Sequence, residues 1–470
     1  MPEISSERQH NFSKMRETAR EIFTSALNRA SIEGAFARKV HCERRVLRIG
    51  NDLHDLDSYQ RVFVVSIGKA AHTMAAALAA QVGSGCFEAG IVASSVEPEN
   101  QIRGFRYFHG GHPTPTADSI QAADAILKSL TALDATSLAI FMLSGGGSSI
   151  VEKPVDADIS LSDLAATYRA LVHSGAPIAE INAIRKHLSA VKGGRLAQAA
   201  YPAQQVSILV SDVPDATPDA LASGPTMPDS TSIQDCERIA AKYNLIDQFP
   251  QSVSDLFRQH ALEETPKSDD PAFVRARWWT VLSNKVAIDE AAAAATRAGF
   301  AVEVDNSCDD WPYDKAAAYL LDRLRDLRSK VSRVCLISGG EVTVTVRNGG
   351  TGGRNQQFAL ACAELIAGQG ITVLSAGTDG IDGNSPAAGA VVDGSTVARA
   401  ESAWAPGLEG CPTACPELAE GSRGVRDVGS IVQLALSTFD AYPLFGALGD
   451  AVMTGPTGNN LRDLRILLAY

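Results

Sequence analysis

The 470-residue chain lacks any run of 18 apolar residues, and its opening MPEISSERQHNF has no apolar stretch. It therefore shows neither the long apolar segment of a membrane-spanning helix nor a secretory leader, and a cytoplasmic location without membrane partners is expected. It also lacks a basic excess. The net charge of −12 argues against a nucleic-acid-binding face, while leaving room for a local Arg/Lys cluster that meets a phosphorylated ligand. Cysteine is scattered over positions 42, 86, 236, 308, 335, 362, 411 and 415. That pattern reads as buried small hydrophobes in a reducing compartment. Cys411 and Cys415 form the one close pair, and no second Cys/His pair accompanies them, so no zinc site is expected. Several catalytic signatures are missing too. There is no G-x-x-x-x-G-K-[ST], no H-R-D or D-F-G, no G-x-S-x-G, and no G-x-G-x-x-G behind an apolar run. P-loop NTPases and protein kinases are thereby excluded, and a nicotinamide dehydrogenase is disfavoured.

What the chain does have is a set of glycine-rich segments behind strand-like apolar runs: VVSIGKA (64–70), FHGGHPTP (108–115), FMLSGGGSS (141–149), LVSDVPD (209–215), LISGGE (336–341) and LSAGTDGIDG (374–383). Two more, GGTGGRNQQ (349–357) and TGPTGNN (454–460), have no clear strand before them. Strand-like runs such as RVFVVSIG (61–68) alternate with helical patterns such as KAAHTMAAALAAQV (69–82), which predicts α/β architecture with a parallel sheet. Residues 10–32 read as a helix, 181–200 as a helix broken or ended at Gly193-Gly194, and EVTVTVR (341–347) alternates with period 2. Composition shifts to Pro, Ser and acidic residues between about 245 and 275, which places a boundary between two domains, 8–250 and 275–470. The Gly/Pro/Cys-rich segment 404–430 reads as an exposed insertion.

In α/β proteins ligands bind outside the carboxyl ends of the strands, and bare backbone N–H groups there suit anions. Three glycines between Ser144 and Ser148 exceed what a plain turn needs, so Ser144, Gly145, Gly146, Gly147, Ser148 and Ser149 form a candidate anion loop. Lys69, between a strand and a helix, can reach over the sheet edge to a phosphate. Arg185 and Lys192 are seven residues apart and, on a continuous helix, share a face. Asp212 and Asp379 end strands, where a carboxylate can hold Mg²⁺ or accept a proton; Asp382 follows in the same glycine loop as Asp379. Arg354, ahead of a helix, suits bidentate recognition of a phosphoryl group.

Taken in order, VVSIGKAA, GGHPTPTADS, LSGGGSS, INAIRKHLSAVKGGRLA, SDVP with ASGPT, ISGGEVTV, GGRNQQ, SAGTDGIDG and TGPTGNNLRDL resemble the glycerate 2-kinase family, whose C-terminal half carries the MOFRL domain. The resemblance runs from about residue 60 to the end of the chain. It implies transfer of the ATP γ-phosphoryl group, with Mg²⁺, to the 2-hydroxyl of D-glycerate. It also implies a Rossmann-like N-terminal domain and a C-terminal MOFRL α/β domain with the site in the cleft between them, and a homodimer as the candidate assembly. Carried onto this chain, Lys69, Arg354, Asp212 and Asp379 become the catalytic set, with Asp212 and Asp379 as metal ligands. Ser144 to Ser149, Arg185, Lys192, Glu341 and Asn355 become the substrate- and phosphate-binding set. The family's usual Gly-Asp-Asp after the SDVP turn is replaced here by Asp215-Ala216-Thr217, and its TGPTG-Thr-Asn ending reads Gly458-Asn459-Asn460. Family members have often been labelled hydroxypyruvate reductases. The competing readings are therefore an NAD(P)H-dependent hydroxypyruvate reductase and a non-catalytic binding protein on the same fold.

Overall fold

The computed structural model describes residues 6–83, 87, 89–98, 100–346, 349–403 and 431–470. The segment 404–430, with Cys411 and Cys415, lies outside the described residues, as does Cys86. The chain divides into two units, Ile32–Ser283 and Met1–Ser31 with Asn284–Tyr470.

In Ile32–Ser283, strands β1 (Val40–Glu43), β2 (Val46–Ile49) and β3 (Asp52–Asp55) make a small antiparallel meander. The main sheet follows with β4 (Arg61–Ile67), β5 (Ala89–Ser94), β6 (Phe105–His109), β7 (Ser137–Leu143), β8 (Gln204–Val210) and β9 (Ala276–Leu282). Its order is β6-β5-β4-β7-β8-β9, and every neighbouring pair is parallel. Counted from its own first strand, this is the 3-2-1-4-5-6 order of a doubly wound Rossmann-like sheet. β7 is buried at every position, as an apolar strand covered on both faces must be. Val65 and Ile67 of β4 join one core with helices Ala117–Leu130 and Arg195–Ala200, and helix Ala71–Val82 packs against β4 and β5. The winding reverses between β4 and β7, which makes the carboxyl ends of these two strands the topological switch point of the sheet. Four further helices, Leu161–His173, Ile178–His187, Ile233–Lys242 and Gln251–Arg258, bury a separate core around Leu164, Ile184, Ile239 and Phe257.

The second unit holds a mixed sheet: β10 (Ala301–Val304), β11 (Val334–Gly340), β12 (Ile371–Gly377), β13 (Gly389–Asp393), β14 (Ala451–Val452) and β15 (Asp463–Ala469). The order is β10-β11-β15-β12-β13-β14, with β10 and β11 parallel and the C-terminal strand β15 antiparallel to both β11 and β12. Alternate side chains feed two cores. Val334 and Leu336 face helices Tyr313–Arg328 and Arg354–Leu365, while Cys335 and Ile337 face helices Ser6–Arg29 and Asn284–Arg297.

Four local readings change. The first helix, placed by sequence order with the N-terminal domain, buries Met15, Ala19, Ile22 and Phe23 against the C-terminal sheet. β9 extends the first sheet to Leu282, beyond the boundary expected between 245 and 275. The helix expected over 181–200 ends at His187 and resumes at Arg195, because Ser189 bridges to Pro154 and the Ala190 N–H donates to Lys153 O at 2.8 Å. Among the described residues the alternating run after β11 forms no strand and makes an isolated bridge, Thr343 with Pro312. Among the described residues no helix is long and apolar enough to cross a membrane.

Candidate functional site

Two groups of the expected residues gather, one in each unit. In Ile32–Ser283 the loops after β4 and β7 meet at the switch point of the sheet. The Lys69 N–H donates to Gly145 O at 2.9 Å, the Ala70 N–H to Ser144 Oγ at 3.1 Å, and the Ser144 N–H to Ile67 O at 3.0 Å. Ser144 is thus a buried brace for the crossing loops rather than an exposed ligand group. Gly145 is required for close approach, since a side chain there would overlap the Asp212 carboxylate from the loop after β8. Gly146 sits at φ +80°, in the left-handed region, and caps the short helix Gly147–Ile150. Ser148 Oγ lies 2.9 Å from Ser223 Oγ, and both Ala222 and Ser223 hold positive φ values, +50° and +62°. Strained non-glycine backbone of this kind persists where the surroundings over-determine it.

The N–H groups of Gly145, Gly146, Gly147 and Ser148 donate to no acceptor among the described residues. Successive open N–H groups in a tight loop form a nest for an anion. Lys69 is exposed beside it, with no ion pair to a described residue, and its Cγ lies close to where a side chain on Gly146 would stand. Asp212 is half-buried at the same loop. The structure also brings in His112, from the FHGGHPTP segment, which the expected set omits: its Nδ1 is 3.1 Å from Ser149 Oγ.

Arg185 and Lys192 part company. Arg185, half-buried at the end of its helix, has its guanidinium 4.7 Å from the Tyr168 ring centroid and no carboxylate partner among the described residues. Burial lowers its pKa from the usual guanidinium value. Lys192, expected to share a helix face with it, lies beyond the helix end at 1% exposure, and its ammonium pairs with the buried Glu152. Burial pushes that ammonium toward its neutral form, and Glu152 is fixed in turn by Ser189 and Tyr168, both at 2.5 Å. Lys192 therefore spends its charge inside the fold, not on an outside anion.

In the other unit, the ends of β11 and β12 and the start of β15 share one edge, because Asp463 is in register with both Gly340 and Gly377. Arg354 opens helix Arg354–Leu365, a poor place for a cation against the helix dipole. It is held there by Asp463, at 2.6 and 3.0 Å, and by Glu341 at 2.8 Å. Burial would depress its pKa, but Asp463, with Glu341 and Asp382, raises it. The helix N–H groups of Asn355 and Gln356 donate to the two oxygens of Asp382, at 3.0 and 2.8 Å. Asp382 is thus a borrowed helix cap, and burial lifts its pKa to about 6 despite those hydrogen bonds. Asn355 is 1% exposed, and Ser375 Oγ donates to its Oδ1 at 2.6 Å, so it serves this internal network. Asp379 accepts from the Ile381 N–H at 3.2 Å, near Asp463 across Gly377. Sequence reading missed Asp463 and Arg465. Arg465 is fully buried and donates to Gly339 and Gly340 carbonyls at 2.6 and 3.1 Å. Neither is announced by a glycine loop; both lie in a strand that only the fold inserts at this edge.

The sheet order defines an α/β protein of the doubly wound kind, with a glycine loop of unspent N–H groups at its switch point. A domain of unknown function (DUF4147) matches residues 18–258, and the MOFRL family matches 334–408. The chain is 33% identical to a D-glycerate 2-kinase of Thermotoga maritima, over 86% of this chain and 90% of that one. It is 30% identical to a glycerate 2-kinase of Pyrococcus horikoshii over 87% of each. A protein of Agrobacterium vitis, 34% identical over 87% of each, carries a provisional hydroxypyruvate reductase name instead. The crystal structure of a Thermotoga maritima glycerate kinase superposes with a TM-score of 0.80, at 31% identity, over 97% of this chain and 100% of that one. The chain belongs to the glycerate 2-kinase family.

Proposed function

We propose that this chain is an ATP-dependent glycerate 2-kinase, which moves the γ-phosphoryl group of ATP to the 2-hydroxyl of D-glycerate and releases ADP and 2-phosphoglycerate. The observation that carries the reading is the nest of open N–H groups from Gly145 to Ser148 beside the unpaired cation of Lys69. Phosphoryl transfer needs little covalent help from a protein; it needs positioned donors and cations at the oxygens where charge gathers. In this scheme the nest holds phosphate oxygens and Lys69 meets the transferring group. Arg185, a cation without a carboxylate, is offered to the glycerate carboxylate. Arg354, oriented by Asp463 and Glu341, is the second proposed catalytic cation.

Among the described residues no three His, Cys, Asp or Glu side chains are placed to hold a metal by themselves. Magnesium in nucleotide chemistry takes one or two carboxylates and otherwise phosphate oxygens and water. Asp212, against Gly145 of the nest, fits that requirement for an ion at the nest; Asp379, beyond the end of β12, is the other carboxylate offered to Mg²⁺ within its own unit. Bound at the nest, the ion would neutralise phosphate charge.

The reductase alternative meets a physical obstacle. In a dinucleotide-binding sheet the N–H groups of the first strand–helix turn approach a pyrophosphate. Here the N–H groups of Gly68, Lys69, Ala70 and Ala71 are all spent inside the protein, on Ala93, Gly145, Ser144 and Gly68.

The deciding assay combines purified protein, ATP, Mg²⁺ and D-glycerate, with the product identified as 2- or 3-phosphoglycerate by NMR. Formation of 2-phosphoglycerate with stoichiometric ADP is expected, and NADH with hydroxypyruvate should give no turnover. Robust NADH oxidation without phosphoryl transfer would sink the kinase reading.

A further inference from the structure

His112 is the one imidazole placed at the anion nest, and nothing in the scheme above employs it. It stands in the loop after β6, is exposed, and meets the nest at Gly146: its Nδ1 and Cε1 lie close to where a side chain on Gly146 would stand, beside Lys69 Cγ. Its Nδ1 is 3.1 Å from Ser149 Oγ, and that hydroxyl lies 3.3 Å from Gly146 O. A carbonyl can only accept, so the Ser149 proton goes to Gly146 O, and Ser149 Oγ is left to accept from Nδ1–H. The chain of donors then runs from ring to hydroxyl to carbonyl, and it leaves Nε2 as the unprotonated nitrogen.

We infer that His112 is a further catalytic residue, the general base that takes the proton of the acceptor hydroxyl at Nε2. The inference rests on the glycerate kinase reading. In the step, the substrate oxygen forms its bond to the γ-phosphorus as the O–H proton passes to Nε2. The bond from phosphorus to the β,γ-bridging oxygen breaks, and its electron pair leaves with ADP. The resulting imidazolium returns its proton to solvent.

The surroundings suit a base at neutral pH. Although the side chain reaches solvent, its partial desolvation among the loops lowers the imidazole pKa first, and the Lys69 ammonium from the loop after β4 lowers it further. From the loop after β7, Gly146 and Ser149 meet the ring. Asp212, the remaining charged group of the nest, is set against Gly145, one residue along. A base with its pKa below 7 is unprotonated when needed, and general-base help is worth roughly 10²–10⁴ in rate.

The test uses the full chain and three variants. His112→Asn keeps a donor in the Nδ1 position and removes Nε2. Its kcat should fall roughly 10²-fold or more with KM for D-glycerate changed by less than about threefold. The wild-type kcat should decline on the acidic side as the ring protonates, and the His112→Asn profile should lack that limb. Added imidazole should restore at least about tenfold of the loss in His112→Ala, a rescue that a structural role would not show. Ser149→Ala removes the acceptor that fixes the tautomer. In ¹⁵N-histidine spectra, with His112 assigned by its absence from His112→Asn, the wild-type ring should show protonated Nδ1, and Ser149→Ala should shift it toward protonated Nε2. A wild type active on D-glycerate whose His112→Asn variant keeps its kcat and its acidic limb overturns the base while leaving the kinase reading in place. A protonated Nε2 in the wild-type spectrum overturns it as well, and that readout needs no activity. A wild type that transfers nothing to D-glycerate overturns the kinase reading and the base with it.

Discussion

The two glycine-loop clusters treat charge in opposite ways. In Ile32–Ser283 the N–H groups from Gly145 to Ser148 find no acceptor, and Lys69 no ion pair, among the described residues. In the C-terminal unit, Arg354 is answered by Asp463 and Glu341, Arg462 by Asp309 at 2.6 and 2.8 Å, and the helix N-terminus by Asp382. Among the described residues the first arrangement has unmet hydrogen-bonding capacity, whereas in the second the cations and the helix N-terminus are met by the protein's own carboxylates. The contrast teaches that a glycine-rich strand end marks where backbone comes close to something, not what that something is. In one unit the loop's N–H groups are unspent on described residues; in the other much of what the backbone approaches is the protein's own carboxylates.

Replacing the two cations one at a time breaks that comparison most sharply. Lys69→Ala and Arg354→Ala should each lower kcat roughly 10²–10³-fold if both meet developing phosphoryl charge. Their stabilities should separate. Lys69 is exposed and makes no ion pair to a described residue, so its loss should leave Tm within about 2 °C of wild type. Loss of Arg354 leaves the carboxylate of Asp463, 1% exposed, without its cation. Breaking a buried pair from one side costs about 3 kcal/mol or more, so a Tm fall of several degrees is expected. Equal Tm values for the two variants would mean that Arg354 is not the buried partner the geometry describes, and unchanged kcat in both would place the chemistry elsewhere.

This difference also explains what was legible in the sequence. β4, β7 and the loops behind them are local patterns, an apolar run followed by glycines, and the structure places them where the patterns say. The helix Ser6–Arg29 was legible as a helix, but its apolar stripe does not name the sheet it covers. Lys192 misled because a run of helix-compatible residues hides the exit at His187, which is set by pairing with the distant Pro154 segment. Glu152 then takes its charge, 40 residues away in sequence. Asp463 and Arg465 were illegible for the same reason, since β15 becomes an inner strand only by threading between β11 and β12. Ion pairs between remote segments carry no periodicity, so the quenched cluster could not be told from the open one before the fold was known.

A pH titration sharpens the comparison at smaller cost. Asp382 has its pKa lifted to about 6, with burial the main cause. The unfolded carboxyl titrates near 3.9, so between these values the folded state binds more protons than the unfolded one. The sign follows: the contribution is fully present below about pH 4 and is lost as pH rises through about 6, amounting to about 3 kcal/mol for a shift of roughly two units. Denaturant midpoints of wild type and Asp382→Asn, taken from pH 4 to 7, should converge or diverge along that slope, because the amide does not titrate. A constant offset between the two would show that Asp382 stays ionised throughout. No such difference is expected for Lys69→Met over the same range, where no buried carboxyl is touched.

The smallest expected effect concerns the turn after β8, where Asp215-Ala216-Thr217 replaces the acidic turn usual in the family. Asp215 to Thr217 are exposed, three to five residues beyond Asp212. One replacement for the missing carboxylates would be Asp219, but its Oδ2 is 2.9 Å from Lys186 Nζ, whose charge also serves the buried Asp229. Asp219 is thereby committed, and Asp212 is left with less acidic company near the nest than the family's sequence supplies. Each added carboxylate strengthens the attraction for a hard dication. The triple variant Asp215→Gly, Ala216→Asp, Thr217→Asp should therefore reach half-maximal rate at a lower Mg²⁺ concentration than the native chain. A shift of roughly three- to tenfold corresponds to about 1 kcal/mol of added attraction, the scale of an exposed charge pair. Saturating kcat should stay within about twofold, since the substitutions lie outside the nest. Adding Asp219→Ala to the native chain separates the explanations: an unchanged Mg²⁺ requirement agrees with its commitment to Lys186, whereas a raised one would show that Asp219 already serves the ion and that the altered turn was never short of a ligand.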